Sequence, residues 1–236
     1  MMRYLIAPCF FFIFQLLTAQ TTASAELAYH AFLNNDLSQW EKAIQLQAQQ
    51  APEDEVALAE LHYGAIGTSL STADEEAMER HLTRLEEQLE NILTQSTKDP
   101  VANALMGGAM GFRIAQKPIR GMTLGRKSAK HVNLALREDE NCAMAHYQRG
   151  MRMFNTPSMW GGDKAEAAIS FQKAKEILEI KEQTCNNWLY LSTLAWLGQA
   201  LAEDKRPDEA KAVYALALQA EPDFQWVEYV LLPKVK

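Results

Sequence analysis

WLGQALAEDKRPDEAKAVYALALQAEP, from Trp196 to Pro222, decides the architecture of this chain. Leu197 and Gly198 open a pattern that Ala210, Tyr214, Ala217 and Leu218 continue and Pro222 ends, all within the 34-residue frame of a helix–turn–helix repeat. Gly198 and Ala210 are small where two antiparallel helices must approach closely. Tyr214 and Ala217 fall on the inner face of the second helix. Pro222 stops that helix, because its ring removes a backbone donor and restricts the residue before it.

The same frame extends upstream. With Gly150 as the counterpart of Gly198, the second-helix positions fall on Ala167, Phe171 and Ala174, after five extra residues between the helices. With Gly111 as the next counterpart, Ser128, Val132 and Ala135 take those places with the same extension. The two extended units superpose at a shift of 39 residues, which also matches Arg113 with Arg152 and Pro118 with Pro157. Residues 99–222 therefore read as three hairpins, two with long inter-helix loops. Helical periodicity covers nearly everything after residue 26 and predicts helices near 27–34, 36–50, 54–70, 73–97, 100–117, 122–138, 141–155, 163–180, 187–203, 207–220 and 223–230. The fold class is all-α, an α-solenoid of antiparallel hairpins. Residues 26–98 form an N-terminal helical or capping region, in which Trp40 to Ile44 looks like a second helix stopped by Pro52. The charged stretch 73–97 reads as a solvated face or as an end cap. Residues 223–236 are a C-terminal capping helix and tail, with Phe224, Trp226, Val227 and Val230 on one face.

The first 25 residues differ in kind. Arg3, an apolar run from Tyr4 to Leu17, and the small residues Ala23, Ser24 and Ala25 have the form of a cleaved secretory signal, with Glu26 as the first mature residue. The run is too short to span a bilayer. Cys9 precedes most of the run, so it is not placed for lipid attachment. The expected address is periplasmic or secreted, with no membrane span after cleavage. A formal charge of −7 disfavours phosphate backbones and hence nucleic acid.

Several strings, GMTLG (121–125), NTPSMWGGD (155–163), WLGQ (196–199) and EPDFQW (221–226), together with Leu231 to Pro233, resemble a group of secreted bacterial tetratricopeptide-repeat (TPR) proteins across about residues 99–233. That resemblance implies a helical-repeat architecture and an exported address, and no chemistry. A more distant resemblance is to the helical-repeat lipoproteins that accompany some periplasmic solute transporters, from which this chain departs in lacking a lipobox.

Catalytic and metal-binding patterns are not legible. His30, His62, His81, His131 and His146 share no ligand spacing. His62, beside Tyr63 on an apolar helix, reads as a core or boundary residue. Gly107, Gly108 and Gly111 lack the strand and the Lys-Ser/Thr of a phosphate loop, so close helix packing explains them. No enzyme, cofactor or metal is expected. The function expected of a repeat array is to bind a protein or peptide partner, the alternative being a small-molecule-binding accessory of envelope transport with an enclosed pocket.

In such an array the first helix of each hairpin lines the concave surface. Its inward face comprises Leu105, Phe112 and Gln116, then Met144, Tyr147, Met151, Phe154 and Asn155, then Ser192, Gln199 and Glu203. A Met- and aromatic-rich groove suits an apolar or helical peptide; the same stripe could also be covered as core by neighbouring helices. In the loop before Asp163, which can cap the next helix, Trp160 either plugs the loop onto the core or projects at the rim. Cys142 starts one first helix and Cys185 lies just before the next, and an inward fold of residues 181–186 would bring them within disulfide reach in an oxidising compartment.

Overall fold

The computed structural model describes residues 23–235. Most of the expected leader, 1–22, lies outside the described residues. Its last three residues begin a helix over 23–34, α1, in which Ser24 is buried and its Oγ donates to Gln47 Oε1 at 2.7 Å.

The remaining helices follow the periodicity closely. They are α2 (Leu37–Gln50), α3 (Glu55–Ser71), α4 (Glu75–Gln95), α5 (Pro100–Gln116), α6 (Gly121–Glu138), α7 (Ala143–Asn155), α8 (Lys164–Ile180), α9 (Trp188–Glu203) and α10 (Pro207–Ala220). Short 3₁₀ turns, Pro118–Arg120 and Ser158–Trp160, fill the two long loops. Aspartates fix several starts: Asp36, Asp54, Asp74, Asp99 and Asp163 each accept a backbone N–H of the following first turn, satisfying donors that have no partner within the helix.

Consecutive helices pair as antiparallel hairpins, α3 with α4, α5 with α6, α7 with α8 and α9 with α10. The fold is an all-α solenoid of the TPR type. The pairing extends into the N-terminal region. There α4 buries Ala77, Met78, Leu82, Leu85, Leu89 and Ile92 on one face and leaves its charged face in water.

Close approach is achieved where the small residues predict it. A Cβ on Gly198 would fall inside the ring of Tyr214, and one on Gly150 would meet Phe171 Cε1 at 2.6 Å. The upstream unit departs from the expected register. Nothing lies within 4 Å of a Cβ on Gly111, whereas one on Gly107 would meet Val132 Cγ2 at 2.6 Å. Val132 stands where its sister hairpin has Phe171. The shorter isopropyl group meets α5 one turn earlier, while a phenyl ring reaches the later turn.

The C-terminal cap also differs from a regular helix. Residues Trp226–Leu231 form a π-helical turn. The wider turn buries Val227 and Leu231, with Phe224, and leaves Val230 exposed.

The two ends of the array meet. Tyr29 of α1 donates to Glu221 Oε2 at 2.6 Å, and the Phe32 ring lies 5.6 Å from Phe224, 6.3 Å from Trp188 and 6.4 Å from Trp226. Fully buried Trp40 donates from Nε1 to Thr68 Oγ1 at 2.9 Å and packs edge-on to Trp188 at 5.7 Å. The N-terminal hairpin and the start of α9 thus share one aromatic cluster.

Candidate functional site

The first helices α3, α5, α7 and α9 face inward, and one side chain occupies their centre. The Tyr63 ring lies 5.1 Å from Phe112 and stacks on Trp188 at 6.5 Å, and its hydroxyl donates to Gln148 Oε1 at 3.3 Å. Gly108 makes room for this arrangement: a Cβ there would meet Gln148 Oε1 at 2.6 Å and Tyr63 Cε2 at 2.8 Å. Burial holds the Tyr63 hydroxyl well above its ordinary pKa, so it stays a neutral donor.

This plug divides the expected concave stripe. Leu105, Met144, Tyr147, Phe154 and Ser192 are buried. Tyr147 and Ser192 share a hydrogen bond of 2.9 Å, and Phe154 packs edge-on to Trp196 at 5.3 Å. Phe112, Gln116, Met151 and Gln199 are half-buried, while Asn155 and Glu203 are exposed. The accessible members therefore gather toward the C-terminal ends of α5, α7 and α9, on one rim. Lys164 organises part of that rim. Its Nζ sits 3.6 Å from the Phe154 ring centroid, donates to the Phe154 carbonyl at 2.7 Å and pairs with Glu203 at 2.7 Å. Gln199 Nε2 is buried there with no hydrogen-bond partner. A buried donor left unpaired costs free energy.

Trp160 projects, 64% exposed, instead of plugging its loop. The backbone explains this. The chain reverses at Gly161, with φ +90, and Gly162 presses so closely on the Thr156 carbonyl that no side chain fits there. The reversal turns residues 158–160 outward.

The disulfide expectation is corrected. Both cysteines are free thiols, Cys142 buried at the start of α7 and Cys185 exposed in the loop before α9. Glu182 and Asn186 adopt left-handed backbone conformations that swing this loop outward. Cys185 ends up close enough to Tyr29 to perturb its hydroxyl, while Cys142 lies among Asp139, Glu60 and Lys181.

The sister arginines differ. Arg113 binds Glu86 and Glu79 of α4, both at 2.6 Å, and the pairing depresses Glu79 to about 2. Arg152 has no carboxylate partner among the described residues, and its Nε is buried without a hydrogen bond. Sequence reasoning also missed a buried imidazole pair, His62 Nδ1 and His81 Nδ1 at 3.0 Å. The two lie 19 residues apart, a distance no local motif spans. Which ring donates depends on the tautomers of the two imidazoles, and Glu41 lies 3.8 Å from His81 Nε2 on the far side of the pair.

Two clefts lie on this half of the molecule. One is a shallow trough on α4 lined by Glu76, Glu79, Arg80, Thr83, Arg84 and Glu87. The other, about 660 Å³ between α3, α4 and α5, is bordered by charged residues including Asp74, Glu79, Arg113 and Arg120. Both are lined mostly by charged and polar residues, unlike a typical small-molecule pocket. Among the described residues no group of three His, Cys, Asp or Glu side chains is placed to hold a metal. No helix among them is long and apolar enough to cross a membrane.

No protein-family model matches this chain, and no curated protein matches it. Solved structures do. The TPR protein TTC0263 of Thermus thermophilus superposes with a TM-score of 0.54 at 19% identity, over 88% of this chain and 95% of that one. The MamA protein matches with a TM-score of 0.41 at 16% identity, over 90% and 96%. The similarity to TTC0263 agrees with the helix pairing and places the chain, by fold, among the TPR-type helical solenoids.

Proposed function

We propose that this protein is a non-catalytic periplasmic scaffold that binds a protein or peptide along the rim formed by the ends of α5, α7 and α9. Arrays of this class are generally interaction scaffolds rather than enzymes, and the exported address rests on the N-terminal sequence. The observation that carries the rim is the partly accessible apolar surface of Phe112 and Met151 near the ends of α5 and α7, with half-buried Gln116 and Gln199 near the ends of α5 and α9. Accessible apolar surface together with amide side chains suits a peptide backbone with an apolar side chain. With Tyr63 filling the centre, the ligand lies along the rim instead of threading the array.

Affinity capture from periplasmic extract tests this. The wild-type chain is expected to retain a partner that Met151→Glu and Gln199→Ala lose, with helical circular dichroism intact. Retention of the same partner by both folded variants rejects the rim. Capture of nothing, together with turnover in a metabolite screen, rejects the scaffold.

A further inference from the structure

A second surface, distinct from the rim's inward side, combines positive charge with projecting apolar side chains. Residues 100–137 contain seven Lys and Arg and no Asp or Glu, in a chain with 30 acidic and 23 basic residues overall. The helix geometry collects this charge. Arg126, Lys127 and Lys130 lie on the exposed face of α6, and Lys117 and Arg120 lie in the loop that leads into it. None of these five forms an ion pair within 4 Å of a carboxylate among the described residues. Asp74 and Glu75 border the patch on the α3–α4 side.

Ile119 in this loop and Met122 in the first turn of α6 are 74% and 72% exposed. The sister loop carries Met159 and Trp160, 81% and 64% exposed. Because α5 and α7 are parallel neighbours, their C-terminal loops emerge at one edge of the solenoid, spaced about 10 Å apart by ordinary helix packing. Four large exposed apolar side chains thus lie along this edge, on the two loops and the first turn of α6. The α6 cations lie behind them, about 7–14 Å along the helix from Gly121.

We infer that this edge docks on an anionic lipid bilayer, with Ile119, Met122, Met159 and Trp160 entering the headgroup–acyl boundary and the cations of loop 117–120 and α6 meeting lipid phosphates. Separate side chains projecting along one edge suit a planar, deformable surface. A protein partner would instead need a packed pocket around an anchor residue, which these projecting loops do not form. Tryptophan suits the interfacial depth, and long Lys and Arg side chains reach phosphates while their stems stay against apolar surface. Basic residues near an anionic surface attract it within about one Debye length, roughly 8 Å at physiological salt, and side-chain reach brings the α6 cations into that range.

Sedimentation of the full chain with lipid vesicles tests the inference. The overall charge of −7 repels an anionic surface, so preference for such vesicles reports a local patch. Vesicles of phosphatidylcholine with two-fifths phosphatidylglycerol are expected to bind the chain at least about tenfold better than pure phosphatidylcholine, with the preference lost at high salt. The triple change Arg126→Glu, Lys127→Glu, Lys130→Glu and the double change Ile119→Ser, Met122→Ser should each reduce binding at least about tenfold at unchanged thermal melting. All proteins carry the same N-terminal segment, so the comparison isolates the edge. Equal binding of wild type and both variants overturns the inference. So does equal affinity for the two vesicle types, or capture of an acidic protein by this patch with vesicles left unbound.

Discussion

The Tyr63 hydroxyl reaches from α3 to Gln148 on α7, 85 residues later, and donates a hydrogen bond at 3.3 Å. This contact and the ring's packing on Phe112 and Trp188 turn the centre of the array into core. Removing the ring leaves a cavity among four helices. Tyr63→Ala is expected to destabilise the fold by about 3–5 kcal/mol, and Tyr63→Phe by about 1 kcal/mol. Urea denaturation midpoints measure both. A loss below about 1 kcal/mol for the alanine variant would mean that the centre is not packed.

Gly198 and Tyr214 set the spacing of the last hairpin. Gly198→Ala gains helix propensity but drives a methyl group into a fully buried ring. Overpacking of this kind costs about 1–3 kcal/mol and outweighs a propensity gain of about 1 kcal/mol. The same change at Gly111, where nothing lies within 4 Å, should raise stability slightly. Thermal melts of the pair check this, and equal shifts would contradict the register described for α5.

The His62–His81 pair makes stability depend on pH. Burial first, then the facing imidazole, push His62 down to about 4, and burial lowers His81 as well. A histidine depressed in the folded state stabilises the fold above its unfolded value, about 6.5. That contribution is lost as pH falls toward the folded value, because the unfolded chain takes up the proton first. Burial raises Glu60 to about 7, which acts with the opposite sign over much of the same range. Comparison with the double variant His62→Leu, His81→Leu therefore isolates the pair. Between about pH 7 and pH 4 the wild type should lose roughly 3 kcal/mol more than the double variant. Parallel stability profiles would exclude the pair as the cause.

Thiol reactivity should divide by burial. Cys185, exposed, is expected to react rapidly in the native protein. Cys142 is buried, and burial pushes its thiol up to about 11, so it should react only on unfolding. Timed labelling followed by peptide mapping separates the two. A pair that stays unlabelled in the denatured protein and reacts only after reduction would restore the disulfide.

The repeating units were legible because their determinants are local. Gly198, Ala210, Tyr214 and Pro222 act across one hairpin, and the helix bounds follow from apolar spacing and from Asp residues at helix starts. Sequence alone therefore determined the TPR-type solenoid and the positions of its two long loops. Tertiary structure decided how the array closes. Tyr63, Phe32, Trp40 and Trp188 lie far apart in sequence and meet only because successive hairpins rotate and bring the first and last units together. That rotation accumulates from many small packing choices, such as valine at 132 where its sister hairpin has phenylalanine. The same closure determined which concave residues became core, paired His62 with His81, and turned Cys185 toward Tyr29 instead of Cys142.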